Sequence, residues 1–242
     1  MTTSVFQYFS TRNTSIQFVE HCRNNNLDGV NDCLSRGVNI NTKGDCYGSQ
    51  WSGLMVACSA GNPTIVSRLV KLPGLDINDQ DETGDTAAHR ACYHGRTECV
   101  RVLAETDRVD WNKADNSGET PLYSALAGGH SDIVDIIIQQ PNLNYNVKTL
   151  TGETLGHAAA KGGDVKCLET LASQESFDSW NVPDNRGDTP VMKALKEGKT
   201  EIVEILLRCP RVDLSCRDKE GWSLVFRAIQ RNKLGEKTIT IN

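Results

Sequence analysis

Two series of glycines run through this chain in a single register. Thr83-Gly84-Asp85-Thr86, Ser117-Gly118-Glu119-Thr120, Thr151-Gly152-Glu153-Thr154, Arg186-Gly187-Asp188-Thr189 and Glu220-Gly221-Trp222-Ser223 recur at intervals of 34, 34, 35 and 34 residues. Gly61, Gly95, Gly129, Gly163 and Gly198 keep step with them, and Asn25 and Asn232 extend this second series at either end. Self-similarity at such a period is the signature of a repeat architecture. Asn fits the extension because it also tolerates a left-handed backbone.

Each unit reads the same way. The Thr, or Ser52 and Ser223, carries a side-chain oxygen that can accept a bond from an orphan N–H, so it is read as a helix N-cap. Pro121 and Pro190 then fall at the first helical position, where a missing N–H does no harm. Ala91, Ala125, Ala159 and Ala194 lie five residues after their caps and allow close helix contact. The inner glycine ends the first helix. A second helix opens on Ile65-Val66, Cys99-Val100, Ile133-Val134, Cys167-Leu168 or Ile202-Val203, with a further apolar pair two residues on in most units. Clusters such as Pro141-Asn142 and Cys209-Pro210 close the unit as turns. A two-helix unit this short cannot bury its apolar face alone, whereas stacked copies can. The expectation is an all-α solenoid with one domain over residues 14–242, preceded by an extension over 1–13. Its repeats are placed at 14–46, 47–82, 83–116, 117–150, 151–185 and 186–219, with a partial cap at 220–242, about seven in all.

Thr120-Pro121-Leu122-Tyr123-Ser124-Ala125 and Thr189-Pro190-Val191-Met192-Lys193-Ala194 resemble the ankyrin signature Thr-Pro-Leu-His-x-Ala. Thr86-Ala87-Ala88-His89-Arg90-Ala91 and Thr154-Leu155-Gly156-His157-Ala158-Ala159 keep its histidine. Gly129-His130 before Asp132-Ile133-Val134 is similar to the family's second-helix start. Asp76-Ile77-Asn78 and Asp110-Trp111-Asn112 match its closing Asp-Val-Asn. The resemblance spans residues 14 to 233 and implies an ankyrin-repeat solenoid with finger loops and a concave first-helix face. There are departures. The unit at 47–82 carries two extra residues before its cap (Tyr47-Gly48-Ser49-Gln50-Trp51-Ser52), which predicts a misshapen finger. The first unit has Ile16 at the cap position, as a capping repeat would. In the last, Leu234-Gly235-Glu236-Lys237 is a weak start to a second helix, so the unit is a truncated cap or the natural chain continues.

Composition narrows the function. A net charge of −5 without a basic stripe argues against nucleic acid as a partner. The best apolar stretch, Ile133 to Ile138, is interrupted by Asp135 and falls short of a membrane span. Met1 to Phe6 lacks the basic start and apolar core of a signal peptide. The nine cysteines include no Cys-x-x-Cys pair. Several fall at core positions, so they are read as buried hydrophobes in a reducing compartment, cytoplasmic or nuclear. No cofactor or metal is expected.

The resemblance implies binding through the finger loops and the exposed side of the first helices. By position this selects Asp85, Glu119, Glu153, Asp188 and Trp222 at the fingers, with Glu82 nearby. On the helices it selects Arg90, Ser124 and Lys193, and Tyr93 and Lys161. Asp79, Asp81, Asp115, Asp184 and Asp218 lie close, which predicts an acidic finger edge facing a partner with a basic ridge. Arg90 with Tyr93 is a candidate hot spot. Asn78, Asn112, Asn146 and Asn181 occupy the hairpin asparagine that is hydroxylated in some ankyrin proteins. Trp111, Tyr145 and Trp180 share a register with Ile40, Ile77 and Leu214 and are read as packing. His89 and Cys92 are spaced for a thiol–imidazole pair on one helix, but both match structural slots. The expected function is a monomeric, non-enzymatic adaptor, scaffold or inhibitor that binds a protein or peptide. The alternative is the recognition part of a larger protein, such as a ubiquitin-ligase receptor or signalling protein.

Overall fold

A computed structural model describes residues 14–46 and 48–233. The expected extension over 1–13 and the weak helix start at 234–237 lie outside the described residues. Contacts group the chain into two compact units that meet between Asn116 and Ser117.

The first unit opens with helix α1 (residues 14–23) and α2 (Leu27–Ser35). A hairpin of β1 (Lys43–Cys46) and β2 (Ser49–Ser52) follows, then α3 (Gly53–Ala60), α4 (Pro63–Leu69), α5 (Ala87–Tyr93) and α6 (Thr97–Ala104). In this unit α3 packs on α5, while α4 packs on both α2 and α6. The second unit comprises α7 (Pro121–Gly128), α8 (Ser131–Ile137), α9 (Leu155–Gly162), α10 (Val165–Ala172), α11 (Pro190–Glu197), α12 (Thr200–Arg208) and α13 (Leu224–Lys233). There α7, α9, α11 and α13 pack in succession, and α8, α10 and α12 do the same. First helices thus stack on first helices and second on second.

Several caps are those the sequence predicts, whereas Ile16 lies inside α1 and Thr189 forms no side-chain cap bond. Ser52 Oγ accepts from the Met55 N–H at 3.3 Å, and Thr120 Oγ1 from the Tyr123 N–H at 3.3 Å. Pro121 and Pro190 start α7 and α11. Gly61, Gly129, Gly163 and Gly198 end their helices in the left-handed region, and Asn25 adopts the same conformation. Ala91, Ala125, Ala159 and Ala194 are fully buried, where a larger side chain would push stacked helices apart. Trp111, Tyr145 and Trp180 are buried as packing residues, and Trp180 meets Phe177 edge-to-face at 4.7 Å. Leu214, in the same register, is instead exposed.

The helical solenoid with hairpin-like fingers is as expected, and one expectation about it needs correction. The finger that enters the unit at 47–82 is a regular antiparallel hairpin, longer rather than misshapen. The two extra residues carry the turn outward far enough for Lys43 to Cys46 to pair with Ser49 to Ser52, with Gly44 opposite Trp51.

Successive fingers are tied by backbone bonds. Within the second unit, the Leu150 N–H donates to Ser117 O at 2.7 Å and the Asn185 N–H to Thr151 O at 2.8 Å. Gly152 sits at this junction with φ +80°, and a Cβ there would lie 2.6 Å from Asn185 Oδ1 and 2.9 Å from its backbone nitrogen. Gly152→Val should therefore destabilise the chain by more than about 1 kcal/mol, read as a lowered urea midpoint. An unchanged midpoint would refute the finger register.

Candidate partner-binding surface

The finger turns are built around a buried acceptor at their first residue. Asp81 Oδ1 accepts from the N–H groups of Thr83 at 2.9 Å and Asp85 at 3.0 Å. Asp184 does the same for Arg186 and Asp188, at 2.8 and 2.9 Å. Asp218 does it for Glu220 and Trp222, at 3.0 Å each. Thr149 Oγ1 takes the corresponding place, accepting from the Glu153 N–H at 3.1 Å. Asp81, Asp184 and Asp218 are buried, so they organise turns and do not contribute to an exposed acidic edge.

Cations on the first helices then reach back to these fingers. Arg90 on α5 binds Asp81 and also Asp85, the latter at 3.0 Å. Lys193 on α11 binds Glu153 at 2.8 Å, and the Tyr123 hydroxyl donates to the same carboxylate. Lys196 grips both oxygens of Asp188 at 2.6 and 2.7 Å. Arg227 on α13 binds Asp218 and Glu220, each at 2.6 Å. Burial alone would push the Asp81 and Glu153 carboxyls up. Hydrogen bonds from Arg90 and Thr83 in one case, and from Lys193 and Tyr123 in the other, outweigh it and hold both below the usual range. The fingers that carry Asp81, Glu153, Asp188 and Asp218 are thus each braced to a first helix by a partly buried ion pair.

This places the sequence-selected residues unevenly. Asp188 is only 2% exposed and is occupied by Lys196, so it cannot meet a partner's basic ridge. Ser124 is buried, with its hydroxyl donating to Thr120 O, and offers nothing at the surface. Asp85, Arg90, Glu153 and Lys193 are members of the braces. Glu82, Tyr93 and Lys161 are exposed, Glu119 is half-buried, and Trp222 stacks on Phe226 at 3.8 Å on an exposed face of α13. Asn78 and Asn181 are both engaged. Their amides donate to the carbonyls of Arg108 and Arg211, and their Oδ1 atoms accept from the Asp110 and Asp213 N–H groups. The Asn112 and Asn146 N–H groups donate to Asp110 and Asn144 Oδ1 at 3.0 Å each, and both side chains are exposed.

The structure also brings together residues that the sequence reading left apart. In the first unit a cleft of about 390 Å³ is lined by Arg23, Trp51, Val56, Ser59, Ala60, Arg90, Tyr93, His94 and Arg96. Trp51 on β2 is its wall, with the Arg90 guanidinium 4.2 Å over the ring. Tyr93, 67% exposed, stands at the rim with its ring edge-on to His94 at 5.1 Å. Arg90 and Tyr93 were legible as a pair. Trp51, His94 and Arg96 were not, although the two-residue insertion before Ser52 was a signal that this finger differs.

His89 and Cys92 do not form a reactive pair. His89 Nδ1 accepts from the cap Thr86 N–H at 3.1 Å, and burial pushes the Cys92 thiol up, away from the thiolate a nucleophile needs. Seven of the nine cysteines are buried. Among the described residues no helix is long and apolar enough to cross a membrane.

With stacked helical hairpins, capped first helices and braced fingers established, comparison with known families places the chain. The model for ankyrin repeats matches three times, over residues 18–113, 54–149 and 155–236, and the chain belongs to the ankyrin-repeat family. Ankyrin repeats are generally protein–protein interaction modules. No curated protein matches the chain.

Two outcomes follow from the braces. Arg90→Gln leaves Asp81 buried without its cation and should cost about 1.5–3 kcal/mol; a urea midpoint equal to wild type would show that the ion pair contributes nothing. His157 Nδ1 accepts from the Thr154 N–H at 3.0 Å while its Nε2–H donates to Asp188 O at 2.8 Å. Only the neutral ring satisfies both. Burial, the largest influence, lowers its pKa despite that carbonyl and nearby carboxylates. The unfolded chain therefore binds the proton more readily. The stability that neutral His157 provides is present above the ordinary imidazole pKa of about 6.5 and is lost as pH falls below it. Urea midpoints should drop between pH 7.5 and 5.5 (roughly the span across that pKa), and His157→Gln should flatten part of the drop. An identical slope in the variant would contradict this.

Proposed function

We propose that this chain is a non-enzymatic protein-binding module, an adaptor, scaffold or inhibitor. It meets a partner protein or peptide with its finger turns and the exposed sides of its first helices. One observation carries the reading: finger carboxylates are tied to first-helix cations at Asp81–Arg90, Glu153–Lys193, Asp188–Lys196 and Asp218–Arg227. A surface held in shape before the encounter loses less conformational entropy on binding. The same pairing favours a bracing role for Asp85, Glu153 and Asp188 over capture of a basic ridge. Of the residues selected from the sequence, this leaves Glu82, Tyr93, Lys161 and Trp222, with the half-buried Glu119, as contact residues. The family's typically non-catalytic character supports the absence of turnover.

Affinity capture followed by mass spectrometry tests the reading. Wild type is compared with Tyr93→Ala in the first unit and with Lys161→Glu plus Trp222→Ala in the second. At least one partner should be lost by a variant that melts like wild type. Recovery of the same proteins by all three would refute binding through these faces.

A further inference from the structure

From the cleft of the first unit we infer a subsite for an acidic peptide segment, one that offers a carboxylate beside an apolar or aromatic side chain. The inference rests on the reading of the chain as a protein-binding module and names the partner chemistry at one place on it.

Charge complementarity is the main argument. The chain carries a net charge of −5, yet the cleft is lined by three arginines and a histidine with no acid among its described lining residues. The three arginines are not equivalent. Arg90 is held by Asp81 and Asp85 and laid over Trp51, so it serves as a fixed wall. Arg23 donates to Cys46 Sγ at 2.8 Å. Arg96 is exposed, makes no ion pair among the described residues, and spends only its Nε, on Ser59 O at 2.9 Å. Its stem lies over Gly61, where a Cβ would come within 3.0 Å of its Cδ. The guanidinium is thereby anchored at Nε with its two terminal nitrogens left for a partner. That fork matches a carboxylate.

The apolar half of the subsite lies beside these basic groups, where Trp51, Val56, Ala60 and the exposed Tyr93 supply flat and aliphatic surface. Trp51 occupies the position before the cap, where Asp85, Glu119, Glu153 and Asp188 stand in the next four repeats and Trp222 in the last. The longer hairpin delivers it there. The volume, about 390 Å³, lies in the range of ligand clefts and suits side chains of a peptide rather than a folded surface.

The test titrates the full chain against a short fluorescein-labelled peptide in which aspartates and glutamates flank a single phenylalanine, read by anisotropy. Saturable binding is expected. It should weaken by about tenfold or more in Arg96→Glu and in Tyr93→Ala, each melting like wild type, and by a smaller factor when the phenylalanine is replaced by alanine. Equal binding of the lysine counterpart, preference for a single-stranded oligonucleotide, no saturation, or indifference to Arg96→Glu would each overturn the inference. The affinity-capture experiment separates the two levels. Partners retained by Arg96→Glu but lost by the Lys161 and Trp222 variant would leave the module reading standing and remove the subsite. Partners lost by no variant would remove the module reading itself.

Discussion

A small acceptor at the mouth of four fingers takes backbone amides that would otherwise have no partner, two at each aspartate and one at Thr149. Asp81, Thr149, Asp184 and Asp218 all act in this way. Because the turn closes around that oxygen, its glycine is fixed with positive φ, and the following residue is delivered to the cap of the first helix. The first helix can then send a cation back to the finger. Turn, cap and ion pair depend on one another, and where the acceptor is a buried carboxylate, leaving it unpaired would cost its full desolvation.

This arrangement changes what the acids of the chain mean. A surface acid steers an encounter through its field, whereas an acid bound by a lysine or arginine of the same chain has little field left to offer. Glu153 and Asp188 belong to the second kind. The charge available to a partner is therefore not the formal charge of the sequence but what remains after these internal pairings. In the cleft of the first unit the remainder is positive. There Arg90 is spent on Asp81 and Asp85, while Arg96 keeps its terminal nitrogens.

The hairpin shows how a small insertion can change the character of one repeat without disturbing the stack. Two residues before Ser52 extend the finger into paired strands. The pairing register turns Trp51 onto Arg90, and the cation–π contact joins that strand to the next repeat's first helix. A cavity wall results from a length change at a place where the repeat tolerates it, because loops lie outside the stacked core.

The sequence by itself determined the repeat length, the caps, the left-handed glycines and the buried alanines, because each of these is a local demand that a residue type meets within a few positions of itself. It also determined that Trp111, Tyr145 and Trp180 are packing residues, through their register with aliphatic ones. Only the tertiary structure decided that Asp188 and Ser124 are unavailable to a partner, that the odd finger is a regular hairpin, and that Trp51, Tyr93 and Arg96 share a cleft. Some of those facts depend on contacts about one repeat apart, as when Trp51 meets Arg90 and Arg96 reaches Ser59. Others, such as Lys196 on Asp188 and the pairing of Lys43–Cys46 with Ser49–Ser52, are nearer in sequence. There too the direction of a side chain or strand, and not its identity, settles whether a charge is spent inside the chain or left for something else.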